Sequence, residues 1–313
     1  MSWVYSVSLR VRHPHRDLSR VAEIVGMKPV WLWKVGDQKK TYWGHLVEGE
    51  HAGTYTNCYC CLSMTSDTGN TDPSRSYVSV ENCVSEVIAF FAEKMKPHVV
   101  LWQEINITGG CVDFYISWNS DIKSLTEEFK WTSLQDLAEL RISLDFDIIK
   151  FFPPDPEWNY DRDGDRESEP YYTYTVELRI RHPHRDLSMI PETLGLEPVR
   201  LWQASDVASL AESERHIYYI DSYCALRVAP TEEHVSDNIT AFVEKMQPHA
   251  ALWREITATG GTLEFFIGWD IGMKTFAEEF KWELLQDLVA LQISLAFDIR
   301  KLVPLISDST NVG

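Results

Sequence analysis

The chain of 313 residues has no apolar run near the roughly 18 residues that a membrane-crossing helix needs. It also has no basic-then-apolar leader, so the sequence predicts a cytoplasmic protein that makes no membrane contact. There is no Gly-rich phosphate loop, no G-x-S-x-G and no nucleophile–base spacing. No catalytic residue is therefore assigned, and an enzyme is not the preferred reading. Basic charge is scarce, with 29 Lys+Arg against 47 Asp+Glu and a net charge of −18. Such a surface repels phosphate backbones, which argues against nucleic-acid binding and for either solubility or a basic partner. Of six cysteines, only Cys60 has an evident counterpart, Cys224. A disulfide framework needed by the fold would recur in both halves, so reduced thiols are predicted. Cys58-x-Cys60-Cys61 lacks a second pair, so neither zinc nor any other cofactor or metal is assigned.

What is present is written twice. LRVRHPHRDLS at Leu9–Ser19 returns as LRIRHPHRDLS at Leu178–Ser188, and EEFKW at Glu127–Trp131 returns at Glu278–Trp282. The chain divides into a first unit at 1–152, an acidic connector at 153–170, a second unit at 171–306 and a tail at 307–313. The connector carries 2 basic against 7 acidic residues, which predicts an exposed linker. Its Asp161, Asp163 and Asp165 resemble the start of a calcium loop. Arg166 then stands where the turn needs Gly, and Tyr172 where the loop needs Glu.

Tyr5, Val7, Leu9 and Val11 alternate with Ser6, Ser8, Arg10 and Arg12, a strand with one polar face; Tyr174–Arg181 repeats it. Asp17 and Asp186 are expected as helix N-caps, with the short helices ending near Gly26 and Gly195. Long helices near 81–106 and 233–257 are expected to break at Pro97 and Pro248. Further helices are expected at 124–140 and 275–291, placing Glu127-Glu128 on a charged helix face, and last strands carry Leu144, Phe146 and Ile148 against Asp145 and Asp147. The fold class is α+β: two homologous domains, each a mixed or antiparallel sheet with helices on one face. Most of the tryptophans are assigned to the core.

This order of pieces resembles a known family. Leu-Arg-Ile at 178–180 opens the first strand, and Leu-Gly-Leu-Glu-Pro follows the first helix. A long helix then leads to Gly-Gly, and Ile-Ser-Leu-Ala-Phe-Asp-Ile closes the unit. The chain resembles a tandem pair of the bacterial "domain of unknown function 4279". The resemblance implies a bacterial accessory protein of immunity-like type, with no catalytic residue to carry over. The long middle insertion of the first unit and the His-Pro-His-Arg segment depart from it.

Two sets of candidate residues follow. His13, His15 and Arg16, with His182, His184 and Arg185, either bind a ligand or partner or build a strand-to-helix turn; the turn is preferred. Arg10, Arg12 and Tyr115, with Arg179, Arg181 and Phe266, lie on the polar sheet faces. These faces are either an interaction surface or cross-strand charge pairing, with Asp145 and Asp147 opposite Arg10 and Arg12, and Glu264 and Asp298 opposite Arg179 and Arg181. The leading functional reading is a non-enzymatic binding protein that occludes a protein partner such as a cognate toxin, its two units forming an internal pseudo-dimer. The alternative is a small-ligand or metal-binding protein using the His-Pro-His-Arg-Asp segments.

Overall fold

The computed structural model describes residues 4–39, 53–64, 83–119, 124–149, 172–208, 217–229, 234–271 and 276–301. The acidic triad at 161–165 and the C-terminal tail lie outside these residues.

The first half runs β1 (Val4–His13), α1 (Ser19–Val25), β2 (Trp31–Trp33), β3 (Cys58–Ser63), α2 (Val84–Met95), α3 (Val99–Ile107), β4 (Cys111–Asn119), β5 (Ser124–Phe129), α4 (Trp131–Leu140) and β6 (Ser143–Ile149). The second half runs β7 (Tyr172–His182), α5 (Met189–Leu194), β8 (Pro198–Trp202), β9 (Val207–Ala208), β10 (Ile217–Tyr218), β11 (Ser222–Val228), α6 (Val235–Met246), α7 (Ala250–Ala258), β12 (Thr262–Ile271), β13 (Phe276–Phe280), α8 (Trp282–Leu291) and β14 (Ile293–Lys301). The fold is α+β. As the prolines require, a single 3-10 turn at Lys96–His98 and another at Gln247–His249 split each long helix in two.

The two six-stranded sheets run in the orders β13-β6-β4-β1-β3-β2 and β5-β14-β12-β7-β11-β8. Each is completed by a strand of the other half. β13 pairs antiparallel with β6, setting Glu278 opposite Phe146, and β5 pairs antiparallel with β14, setting Glu127 opposite Phe297. The chain leaves its own sheet, adds an edge strand to the other, and returns through α4 or α8 to a parallel strand beside β4 or β12.

These strands correct the helices expected at 124–140 and 275–291, which begin only at Trp131 and Trp282. Glu127 and Phe129 are buried while Glu128 and Lys130 are exposed, a period of two that excludes a helix here. The Glu127 carboxylate accepts the Val84 and Ser85 N–H groups at 3.2 and 3.0 Å, capping α2. Glu278 caps α6 in the same way through Val235 and Ser236. Both glutamates therefore sit buried where unpaired helix N–H groups need an acceptor, and not on a solvated helix face.

The buried residues of every helix and the inward residues of both sheets form one contiguous core. At its centre Phe146 lies 4.8 Å from Phe297, with Phe129 and Phe280 edge-on to both. Trp118 stacks on Phe146 and Trp269 on Phe297. Two further bonds cross between the halves: the Trp131 N–H donates to Ser294 Oγ at 3.1 Å, and the Trp282 N–H to Ser143 Oγ at 3.2 Å. Burial of this kind, at about 25 cal/mol per Å² of apolar surface, makes the halves one packing unit.

Candidate functional site

The His-Pro-His-Arg segments form the same latch in both halves. His13 Nδ1 accepts the backbone N–H groups of His15 at 3.0 Å and Arg16 at 2.7 Å, so Nδ1 carries no proton. The ring's hydrogen is then on Nε2, which donates to Thr108 Oγ1 at 2.9 Å; that hydroxyl donates on to the Glu104 carbonyl at 2.7 Å. His182 repeats the pattern with His184, Arg185 and Thr259. The latch closes on Gly110 and Gly261, where an added Cβ would stand 2.7 Å from the Arg12 carbonyl oxygen and 2.8 Å from that of Arg181. Arg16 and Arg185 tie outward to Glu104 and Glu255 at 3.1 and 3.0 Å. His15 and His184 are exposed and share no ligand position with His13 and His182. Among the described residues no three His, Cys, Asp or Glu side chains are placed to hold a metal ion. Thr108 and Thr259, just before each Gly-Gly pair, went unnoticed in the sequence, although Thr-Gly-Gly recurs in both halves.

Asp17 and Asp186 do not cap α1 and α5 as expected. Each instead accepts the N–H group two residues ahead, Ser19 or Ser188, which closes a turn before the helix begins. Their other partners are Lys34 and Gln203.

Burial and the neighbouring Arg16 and His15 push the His13 imidazole below its ordinary value of 6.5, and His182 is lowered in the same way. A folded-state value below the unfolded one means that the unfolded chain takes up protons first. The latch's contribution is therefore complete above pH 6.5 and falls as acid titrates the unfolded histidines. Melting curves between pH 7.5 and 5 should show a loss of stability that is shallower in a His13→Gln, His182→Gln double variant. An unchanged pH slope would remove the histidines from the account.

The outer sheet faces bring together all six residues expected there. In the first sheet the Arg10 Nε donates to Asp113 at 2.6 Å and its other arm to Asp145, while its guanidinium lies 4.1 Å from the Tyr115 ring. Arg12 takes the second oxygen of Asp113 at 2.9 Å, and the Tyr115 hydroxyl donates to Asp147. Asp113 is 1% exposed and faces two guanidinium groups, so it is the hub of the network. It was not singled out in the sequence, although it lies directly opposite Arg10 in the register.

The second sheet differs. Arg179 turns to Glu177 on its own strand at 3.1 Å and lies over Phe266 at 3.2 Å; Glu264 is 4.0 Å away. Asp298, expected opposite Arg179 or Arg181, pairs with Arg300 instead. Arg181 forms no close ion pair among the described residues, and its guanidinium lies 5.3 Å from the Tyr223 ring. Each face ends in a stacked Tyr-Trp-Tyr column. One is Tyr55–Trp33–Tyr59 with centroids 4.3 Å apart, and the other is Tyr219–Trp202–Tyr223 with spacings of 4.5 and 4.3 Å.

A cleft of about 540 Å³ opens where β5 and the start of α4 meet β7 and β12, so both halves line it. Glu128 and Lys130 enter from the first half, and Arg179, Arg181 and Glu264 from the second. Burial pushes the Glu264 carboxyl above its ordinary value; Arg179 and, less strongly, Arg181 oppose that shift, and Glu128 adds to it.

Residues 172–302 match the family model described as "Domain of unknown function (DUF4279)". No curated protein matches the chain. Among the described residues no helix is long and apolar enough to cross a membrane.

Proposed function

We propose that the chain is a non-enzymatic binding protein that grips a protein partner through its outer sheet faces. On this reading 1–152 is a diverged second copy of the family domain, and the pair is an internal pseudo-dimer. The observation that carries it is the order of those faces: guanidinium groups fixed against carboxylates and aromatic rings, flanked by stacked Tyr-Trp-Tyr columns. Tyrosine, tryptophan and arginine held rigid lose little entropy on binding, which suits them as interface anchors. The net charge of −18 favours a partner with a basic rim and speeds encounter by steering. A cytoplasmic, immunity-like protein of bacterial type that occludes a toxin's active surface fits this chemistry.

The test is co-purification of the full chain with the product of each adjacent gene, followed by co-expression to score protection. A stoichiometric complex whose association slows as salt rises supports the reading. Failure to bind, or to protect against, any adjacent product overturns it.

A further inference from the structure

We propose that the cleft between the halves binds a small zwitterion of the α-amino acid class, with its carboxylate on Arg181 and its ammonium between Glu128 and Glu264. This goes beyond partner binding and needs no partner.

The size fits, since small-molecule sites commonly occupy roughly 300–1,000 Å³ and this one holds about 540 Å³. The charge arrangement sets the ligand class. The cleft brings Glu128 of β5 near Glu264 of β12, and the Glu128 charge adds to the burial that raises the Glu264 carboxyl, an arrangement that a bound cation relieves. The opposite charge comes from Arg181, an exposed guanidinium that forms no close ion pair among the described residues and whose fork matches a carboxylate. A simple anion would meet the two glutamates and a simple cation would meet Arg181. A molecule carrying both charges meets both the glutamates and the guanidinium.

The first half supplies an internal control. There Arg12 stands at the place of Arg181, but Asp113 already holds it at 2.9 Å. Asp145 stands where the second half has Ala296, and the first turn of α8 carries Glu283 where α4 has Thr132. Arg141 covers the Trp282 ring at 4.9 Å, whereas its counterpart Gln292 bonds to Thr257. Each substitution leaves the cleft with fewer internal charge partners than the matching place in the first half, and hence with valences for a ligand.

The experiment is calorimetric titration of the full chain with each of the twenty common α-amino acids, and with acetate and methylammonium as half-ligands. At least one amino acid should bind, with acetate and methylammonium far weaker. Arg181→Gln and Glu264→Gln should each lower affinity roughly tenfold or more, because each removes one charged hydrogen-bonding partner. Arg12→Gln, at the matching place in the first half, should leave affinity unchanged, and melting temperatures confirm that all three variants are folded. No binding by any amino acid at millimolar concentration overturns the proposal. So does affinity that survives Arg181→Gln, or acetate binding as tightly as the amino acid. These titrations fail or succeed whether or not a protein partner is ever captured.

Discussion

Cut within the connector, the protein should stay whole. A protease site placed in 153–170, outside the described residues, separates the polypeptide into two pieces, each of which holds an edge strand of the other's sheet. Parting them strips β5 from β14 and β13 from β6, and exposes Phe129 and Phe280, both 0% accessible in the intact fold. It also breaks the packing of α4 against α8. The loss couples unpaired backbone groups to exposed aromatic surface, so the cost is far beyond that of an ordinary interdomain contact. The cleaved pieces are expected to co-elute in gel filtration at nanomolar concentration, to separate only in denaturant, and to melt in one transition. Two separate folded species after cleavage would show that the crossing strands contribute little.

Phe146→Ala should be the most damaging single side-chain truncation. The ring touches Trp118, Phe129, Phe280 and Phe297, which come from both halves. Removing it leaves a cavity at the point where the sheets meet, a change that costs about 3–5 kcal/mol in well-packed cores. Because the core is contiguous, chemical denaturation should show one transition moved to lower denaturant with its steepness preserved. Phe90→Ala, at a ring 57% exposed on α2, is the comparison and should change stability by no more than about 0.5 kcal/mol. A biphasic curve for Phe146→Ala, with one phase at the native midpoint, would mean that the halves unfold independently.

Much of this architecture can be read from residue order. The polar alternation of β1 placed Arg10 and Arg12 on the outer face, and the same rule applied to β4 and β12 placed Tyr115 and Phe266 there. Pro97 and Pro248 marked the breaks in the long helices. The crossing strands were hidden for a physical reason. Glu127-Glu128 runs directly into Trp131-x-x-Leu134-x-x-Leu137, a strong helical period, and so reads as that helix's first turn. A strand's partner is set by distant packing and not by its own residues, so nothing local to EEFKW says which sheet it joins. The ion pairs were half legible. Arginine opposite carboxylate follows from alternation, but the choice of Glu177 over Asp298 for Arg179 depends on register and side-chain reach. Alternation put Arg179, Arg181 and Glu264 on one face, but the cleft itself was not legible, because it forms only where β5 of the first half is laid against the second sheet.

Joining the crossed strands through a single polypeptide has a genetic consequence. Two identical subunits related by symmetry must change both clefts whenever they change one. Here Asp113 and Glu264, or Thr132 and Glu283, are separate codons, so an arginine can be held by a carboxylate in one half while its counterpart in the other is not. Continuity of the chain thus permits a division of labour that symmetric assembly forbids, while reciprocal strand donation keeps the diverging halves locked together.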